Sequence, residues 1–210
     1  TPFSFVATSP PILWNRLTPV FADIEADTLN LDPYQVEAAI NSKTTAILPV
    51  HCYGNPTRVE IFEDIAKRHK LKLIYDASHA FGVKKNHNSI LNFGDLSTLS
   101  FHATKVFNTF EGGAVICQNK KIKNQIDKLK NFGIENETNV EITGINGKMS
   151  EINSAFGLLQ LKYIDEAIRK RKKISETYVD AINSIENLDP VTFSRTITNK
   201  NYSYFPVLVK

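Results

Sequence analysis

Cysteine, methionine and tryptophan are nearly missing from the 210 residues: there are two Cys, one Met and one Trp. Two cysteines, Cys52 and Cys117, are too few for a disulfide scaffold or a zinc site built from thiolates. No apolar run approaches the roughly 20 residues that span a bilayer, so an integral membrane protein is not expected. An excess of one charge is lacking too. The formal net charge is +3, which by itself makes no case for nucleic acid. The basic run Arg169-Lys-Arg-Lys-Lys173 reads as a solvated helix face rather than a nucleic-acid contact. Gly-x-Gly-x-x-Gly, the P-loop and the Gly-x-Ser-x-Gly elbow are all absent, which removes the usual signs of three nucleotide-binding or hydrolytic classes. What is present is 42% hydrophobic and 22% charged residues, a balance that buries a core and is too apolar for a disordered chain.

The chain opens at Thr1-Pro2 without Met or a basic-then-apolar leader, and stops inside the apolar run Phe205-Pro-Val-Leu-Val-Lys210. The expectation is the middle portion of a longer protein.

Strand and helix periods alternate. Pro19-Val-Phe21 reads as a strand. Asp32-Pro33 reads as an N-cap with proline at the first helical position, opening a helix to Ile40. Ala46 to Val50 is a short apolar run. After the turn Gly54-Asn-Pro56, Arg58 to His69 places Val59, Phe62 and Ala66 on one helical face. Leu71 to Tyr75 is a buried strand ending at Asp76. Leu96 to Phe101 and Gly113 to Cys117 are further strands, and Lys120 to Phe132 a helix. A helical pattern from Ser150 persists to about Ile185. Tyr202 to Val209 reads as the first strand of a second unit. Alternation of this kind predicts an α/β fold with a mostly parallel sheet, and ligands of such sheets bind at the carboxyl ends of strands. His51 and Cys52, ending a strand, read as packing.

The chemistry-bearing residues cluster at those ends: Tyr75-Asp-Ala-Ser-His79, then Ser100-Phe-His-Ala-Thr-Lys105, then Glu111-Gly-Gly113. A lysine beside Val106 and Phe107 can become an amine nucleophile through desolvation. An aldehyde cofactor such as pyridoxal phosphate would bond to it, and would further need a carboxylate, a phosphate anchor and an aromatic plate. Asp76, Ser100 and an aromatic such as Phe5 could supply these. Plainer readings stand beside this one: Asp76 as a cap, Lys105 as a solvated lysine, His79 and His102 as satisfied polar residues, Gly112-Gly113 as a tight turn. Asp76, His79 and His102 match no standard metal spacing. Ser100 and His102, two apart on a strand, rarely align as nucleophile and base.

Six ordered segments resemble the sugar aminotransferase family named for DegT, DnrJ, EryC1 and StrS. They are Thr1-Pro-Phe-Ser-Phe-Val-Ala-Thr8, Pro19-Val-Phe-Ala-Asp-Ile24, Asp76-Ala-Ser-His-Ala80, Ser100-Phe-His-Ala-Thr-Lys105, Gly144-Ile-Asn-Gly-Lys-Met-Ser-Glu151, and the following Ala155, Gly157 and Gln160-Leu161. The resemblance covers nearly the whole chain. It implies the pyridoxal-phosphate transferase fold of type I, with residues 1–187 as an incomplete large cofactor-binding domain carrying a long connecting helix. Residues 188–210 would begin a small C-terminal domain.

The roles follow from the resemblance. Lys105 would be the Schiff-base lysine and proton carrier, and Asp76 the partner of the pyridine nitrogen. His79 would lie near the ring hydroxyl, Ser100 would bind phosphate and Phe5 would stack on the ring. His102 is expected close by. Asn146 would reach the phosphate of a neighbouring subunit, making a homodimer with a shared active site, and Lys148 would touch substrate or partner. The implied reaction takes an amino group from glutamate to a nucleotide-linked keto-deoxysugar, such as a dTDP-4-keto-6-deoxyhexose, for surface polysaccharide or related sugar biosynthesis in the cytoplasm. Pyridoxal 5'-phosphate is the implied cofactor. No nucleic-acid or membrane partner is implied. A non-catalytic homologue that binds cofactor or partner is the alternative. One departure stands out: Phe110 occupies the place before Glu-Gly-Gly where the family usually has glycine.

Overall fold

The computed structural model describes residues 1–191, 193 and 196–210. In chain order the helices are α1 (Pro10–Trp14), α2 (Pro33–Ala39), α3 (Val59–His69), α4 (Lys120–Leu129), α5 (Glu151–Leu161) and α6 (Ile164–Ile182). The strands are β1 (Ala46–Ile47), β2 (Lys72–Asp76), β3 (Lys84–Lys85), β4 (Asn88–Ser89), β5 (Leu96–Ser100), β6 (Gly113–Cys117), β7 (Ile134–Asn136), β8 (Asn139–Val140), β9 (Leu188–Pro190), β10 (Ile197–Asn199) and β11 (Val207–Val209).

The central sheet runs β1-β2-β5-β6. The first three strands are parallel, and β6 joins β5 antiparallel, from Ser100↔Gly113 to Leu96↔Cys117. One face of this sheet is sealed by α3. Its Val59, Phe62, Ile65 and Ala66 are buried against Leu73 and Tyr75 of β2. Each fully buried side chain of that size contributes roughly 1.5–3 kcal/mol. Side chains alternate along a strand, so Tyr75, Ser97 and Leu99 share the sealed face, whereas Asp76, Thr98 and Ser100 share the opposite, more open one. The alternation therefore places the polar ends of β2 and β5 on the open side.

The helix α2 begins as its sequence predicts, with Asp32 accepting from the Tyr34 N–H and Pro33 in the first turn. The Pro19–Phe21 run does not become a strand. Val20 and Phe21 are exposed, and the nearest pairing is the lone bridge Ile24↔Leu31. Pro19 has no N–H to give a ladder. The long C-terminal helical pattern is two helices, parted at Lys162 and Tyr163. Asp165 and Glu166 mark the new start, where acidic side chains favour the helix N-terminus. Of Tyr202 to Val209, only Val207–Val209 is strand, and it pairs antiparallel with β9, which precedes it in the chain. Between the two, β10 turns back to pair with β3.

Candidate active site

The site is assembled where β2 and β5 end side by side, with Asp76 opposite Thr98 and the Ala77 N–H donating to the Thr98 carbonyl at 2.9 Å. The backbone of Asp76 is clamped by the chain after β1. Its N–H donates to the Pro49 carbonyl at 2.9 Å, and its carbonyl accepts from the His51 N–H at 3.0 Å. Its carboxylate accepts at both oxygens: Oδ1 from the Ser78 N–H at 3.0 Å, and Oδ2 from the Thr8 hydroxyl at 2.7 Å.

His79 follows in the same turn. Its Nδ1 accepts the Tyr53 N–H at 3.2 Å, so the ring proton resides on Nε2. Burial, reinforced by the charge of Lys105 and opposed by Asp76, pushes His79 down to about 4. The ring is neutral at pH 7 and offers one N–H. Tyr53 and Tyr204 flank it, with ring centroids at 6.3 Å and 4.5 Å. Tyr53 has a left-handed backbone (φ 56°), as does Gly54 (φ 77°). A Cβ on Gly54 would lie 2.7 Å from the His79 carbonyl, so only glycine admits this approach. Asn201, buried, donates to the carbonyls of His79 (2.8 Å) and Phe81 (2.9 Å). It fastens the C-terminal segment beside the site.

Lys105 lies in the loop between β5 and β6. The loop is pinned next to it by Val106 and Phe107, both buried. Phe107 stacks on Phe81 at 4.5 Å and meets Phe101 edge-on at 4.9 Å. Lys105 itself is half-buried, and its N–H closes a turn onto the His102 carbonyl at 2.9 Å. It follows β5 as His79 follows β2, and these two strands end side by side. Ser100 ends β5 and its Oγ accepts the His102 N–H at 3.3 Å. The His102 ring is exposed. Nδ1 pairs with Thr104 Oγ1 at 2.9 Å, and Nε2 lies 3.6 Å from Glu111 Oε1. The Ser100 hydroxyl is thus not bonded to the imidazole, as a hydrolytic pair requires. Phe5, 73% exposed, precedes the short turn Val6–Thr8 whose last residue holds Asp76.

Asn146 stands elsewhere. It bridges Asn131, and its neighbours Ile145 and Gly147 bond to the backbone of Leu129 and Lys130 at the end of α4. Lys148 joins the same stretch, donating to Asn131 Oδ1 at 2.6 Å and lying over the Phe132 ring. His51 and Cys52 are buried as packing residues. No sequence pattern gives Thr8, Tyr53, Asn201 or Tyr204 a role in the site: Thr8 lies inside the first family-like segment, and for the other three nothing local in the sequence signals contact with His79.

A carboxylate, a neutral imidazole, a half-buried amine and a strand-end hydroxyl, carried by the ends of β2 and β5 and the loops that follow them, form a donor set that fits pyridoxal phosphate. Among the described residues, no group of three or more His, Cys, Asp or Glu is placed to hold a metal ion, and no helix is long and apolar enough to cross a membrane.

A profile of the DegT/DnrJ/EryC1/StrS aminotransferase family matches residues 1–210. The chain belongs to that family. It is 53% identical over 210 residues to a dTDP-4-amino-4,6-dideoxy-D-glucose transaminase of Shigella dysenteriae, and 52% identical over 211 residues to one of Escherichia coli. All of the chain is covered in both cases, but it spans only 57% and 56% of the length of these curated relatives. Among solved structures, that of DesI in the presence of its TDP-sugar product superposes with a TM-score of 0.92 at 36% identity, over 99% of this chain and 53% of that one. The α/β fold of these aminotransferases, with a mixed central sheet flanked by helices, is the one observed here.

Proposed function

We propose that the protein is a pyridoxal-phosphate-dependent aminotransferase that moves an amino group from glutamate to a nucleotide-linked keto-deoxysugar. The substrate we favour is a dTDP-4-keto-6-deoxyhexose. The convergence of Asp76, His79 and Lys105 at the strand ends carries this reading, and the transaminases at 52–53% identity support it. Bound pyridoxal phosphate supplies an aldehyde that condenses with amines and a protonated ring that draws electrons from the adjacent carbon. Asp76, its carboxylate kept in place by Thr8 and Ser78, would hold the proton of the ring nitrogen. His79 would offer its Nε2–H to the ring hydroxyl. Ser100 would bind the phosphate and Phe5 would cover the ring. Lys105 would be the amine that takes the aldehyde and the base that carries a proton at the substrate carbon. His102 lies at the rim with Glu111. We further propose a cytoplasmic homodimer in which Asn146 serves the neighbouring subunit's phosphate site, with Lys148 beside it. Residues 1–187 then form the cofactor-binding unit and 188–210 the start of a second.

Visible absorbance of the full-length protein with added pyridoxal phosphate tests the reading. A yellow band removed by borohydride is expected, together with its absence in Lys105→Ala. Glutamate alone should then bleach the band and release 2-oxoglutarate, and the keto-sugar should restore it. No band in the wild type overturns the cofactor assignment. A band without turnover of glutamate favours the non-catalytic homologue.

A further inference from the structure

The Thr8 hydroxyl donates to Asp76 Oδ2 at 2.7 Å. An ionised carboxylate only accepts, so the Thr8 proton points at Asp76. Thr8 Oγ1 is left with lone pairs alone for its second neighbour, Ser4 Oγ at 2.7 Å. Ser4 must therefore donate. Two hydroxyls are ordered, one behind the other, toward a single carboxylate oxygen, while Oδ1 is held by the Ser78 N–H. The same turn carries Phe5, whose carbonyl accepts the Thr8 N–H at 3.1 Å. The contact thus ties the N-terminal turn to the end of β2 at one atom.

We propose that Thr8 is a positioning residue for the cofactor, acting through Asp76, with Ser4 orienting its hydroxyl. The proposal rests on the pyridoxal-phosphate reading. With one lone pair of each oxygen engaged, the carboxylate cannot rotate freely. Its remaining lone pairs are the acceptors for a ring N–H. Loss of the Thr8 hydroxyl leaves the carboxylate held at Oδ1 alone, by the Ser78 N–H, and the interaction with the ring nitrogen weakens.

The experiment is equilibrium dialysis of the full-length protein with pyridoxal 5'-phosphate and, separately, with its 1-deaza analogue, which lacks the ring nitrogen. Wild type, Thr8→Val and Thr8→Ser are compared, with thermal melting as the check on folding. Thr8→Val is expected to weaken pyridoxal phosphate about tenfold, some 1.4 kcal/mol, and to leave the deaza analogue within about twofold. Thr8→Ser should return the natural cofactor to near wild-type affinity. Should Thr8→Val not fold, Ser4→Ala carries the same comparison, with a ratio of about threefold expected. Equal loss for both ligands makes Thr8 merely structural and overturns the proposal. So does unchanged affinity, while the cofactor reading stands. If the wild type binds neither ligand, the cofactor reading falls and this proposal with it.

Discussion

Phe110 holds a left-handed backbone (φ 62°), and its ring stacks on Phe156 with centroids 4.1 Å apart. For a residue with a Cβ that conformation costs about 1–2 kcal/mol, and an aromatic pair returns about 0.5–1.5 kcal/mol. The two nearly cancel. Phe110→Gly should therefore change stability by less than about 1 kcal/mol, since strain and stack vanish together. Phe156→Ala removes the stack and keeps the strain, and should cost about 1–3 kcal/mol. Urea unfolding separates them; equal losses in the two variants would mean that the backbone of Phe110 carries no strain. The residues of this site differ in how legible they were. Asp76, His79 and Lys105 stand out because each lies in a segment that resembles a family motif; their places after the strands left each with a plainer reading as well. Thr8 and Tyr204 do not, because their roles arise from contacts with Asp76 and His79 that no local pattern encodes.

The pairing of β5 with β6 is the element that carries the site loop, and Gly113 sets how closely the strands approach. It faces Ser100, and a Cβ there would lie 2.6 Å from the Leu99 carbonyl. Gly113→Ala must push the strands apart. It should cost about 1–3 kcal/mol and loosen Ser100, the residue proposed to bind phosphate. The expected outcome is a lower melting temperature together with weaker pyridoxal phosphate binding; wild-type values for both would refute this reading of the glycine. Elements with strong periods were readable before the fold was known: α3 from its apolar stripe, β6 from its apolar run, α2 from Asp32-Pro33. The division between α5 and α6 was hidden because the apolar period runs through Lys162 and Tyr163. The strands β9 and β10 were hidden for another reason. Each is three residues long, and they pair with segments far off in sequence, at Val207–Val209 and Lys84–Lys85. Such short strands exist by tertiary pairing rather than by propensity.

At the scale of the whole molecule, a buried and a half-buried imidazole set the response to acid. His51 is fully buried, stacked on Tyr75 at 4.6 Å, and its Nδ1 accepts the Thr57 N–H at 3.2 Å. Burial pushes it down from 6.5 to about 3, with Asp76 opposing and Lys85 assisting. His79 is pushed down to about 4 by burial and Lys105. Both are neutral in the folded chain until the pH nears those values, whereas in the unfolded chain both take up protons below about 6.5. The unfolded state therefore binds more protons across this window, and stability falls as pH falls. The limiting slope is about 1.4 kcal/mol per pH unit for each group, or about 2.7 for the pair. Carboxylates such as Glu37, held below its ordinary value by Arg68 and His69, add their loss only at lower pH. Urea unfolding between pH 4.5 and 8 should show a plateau above pH 7 and a steep decline below 6.5. His79→Gln should roughly halve that decline, because His51 alone remains. A curve flat down to pH 4.5 would show that neither ring is buried as described. The same titration bears on function, because protonation of His79 removes the neutral imidazole from the site. The folded ring takes its proton only near 4, so its part in cofactor affinity is expected to hold between pH 7.5 and pH 5 while stability falls, and dialysis with pyridoxal phosphate at those two values checks it.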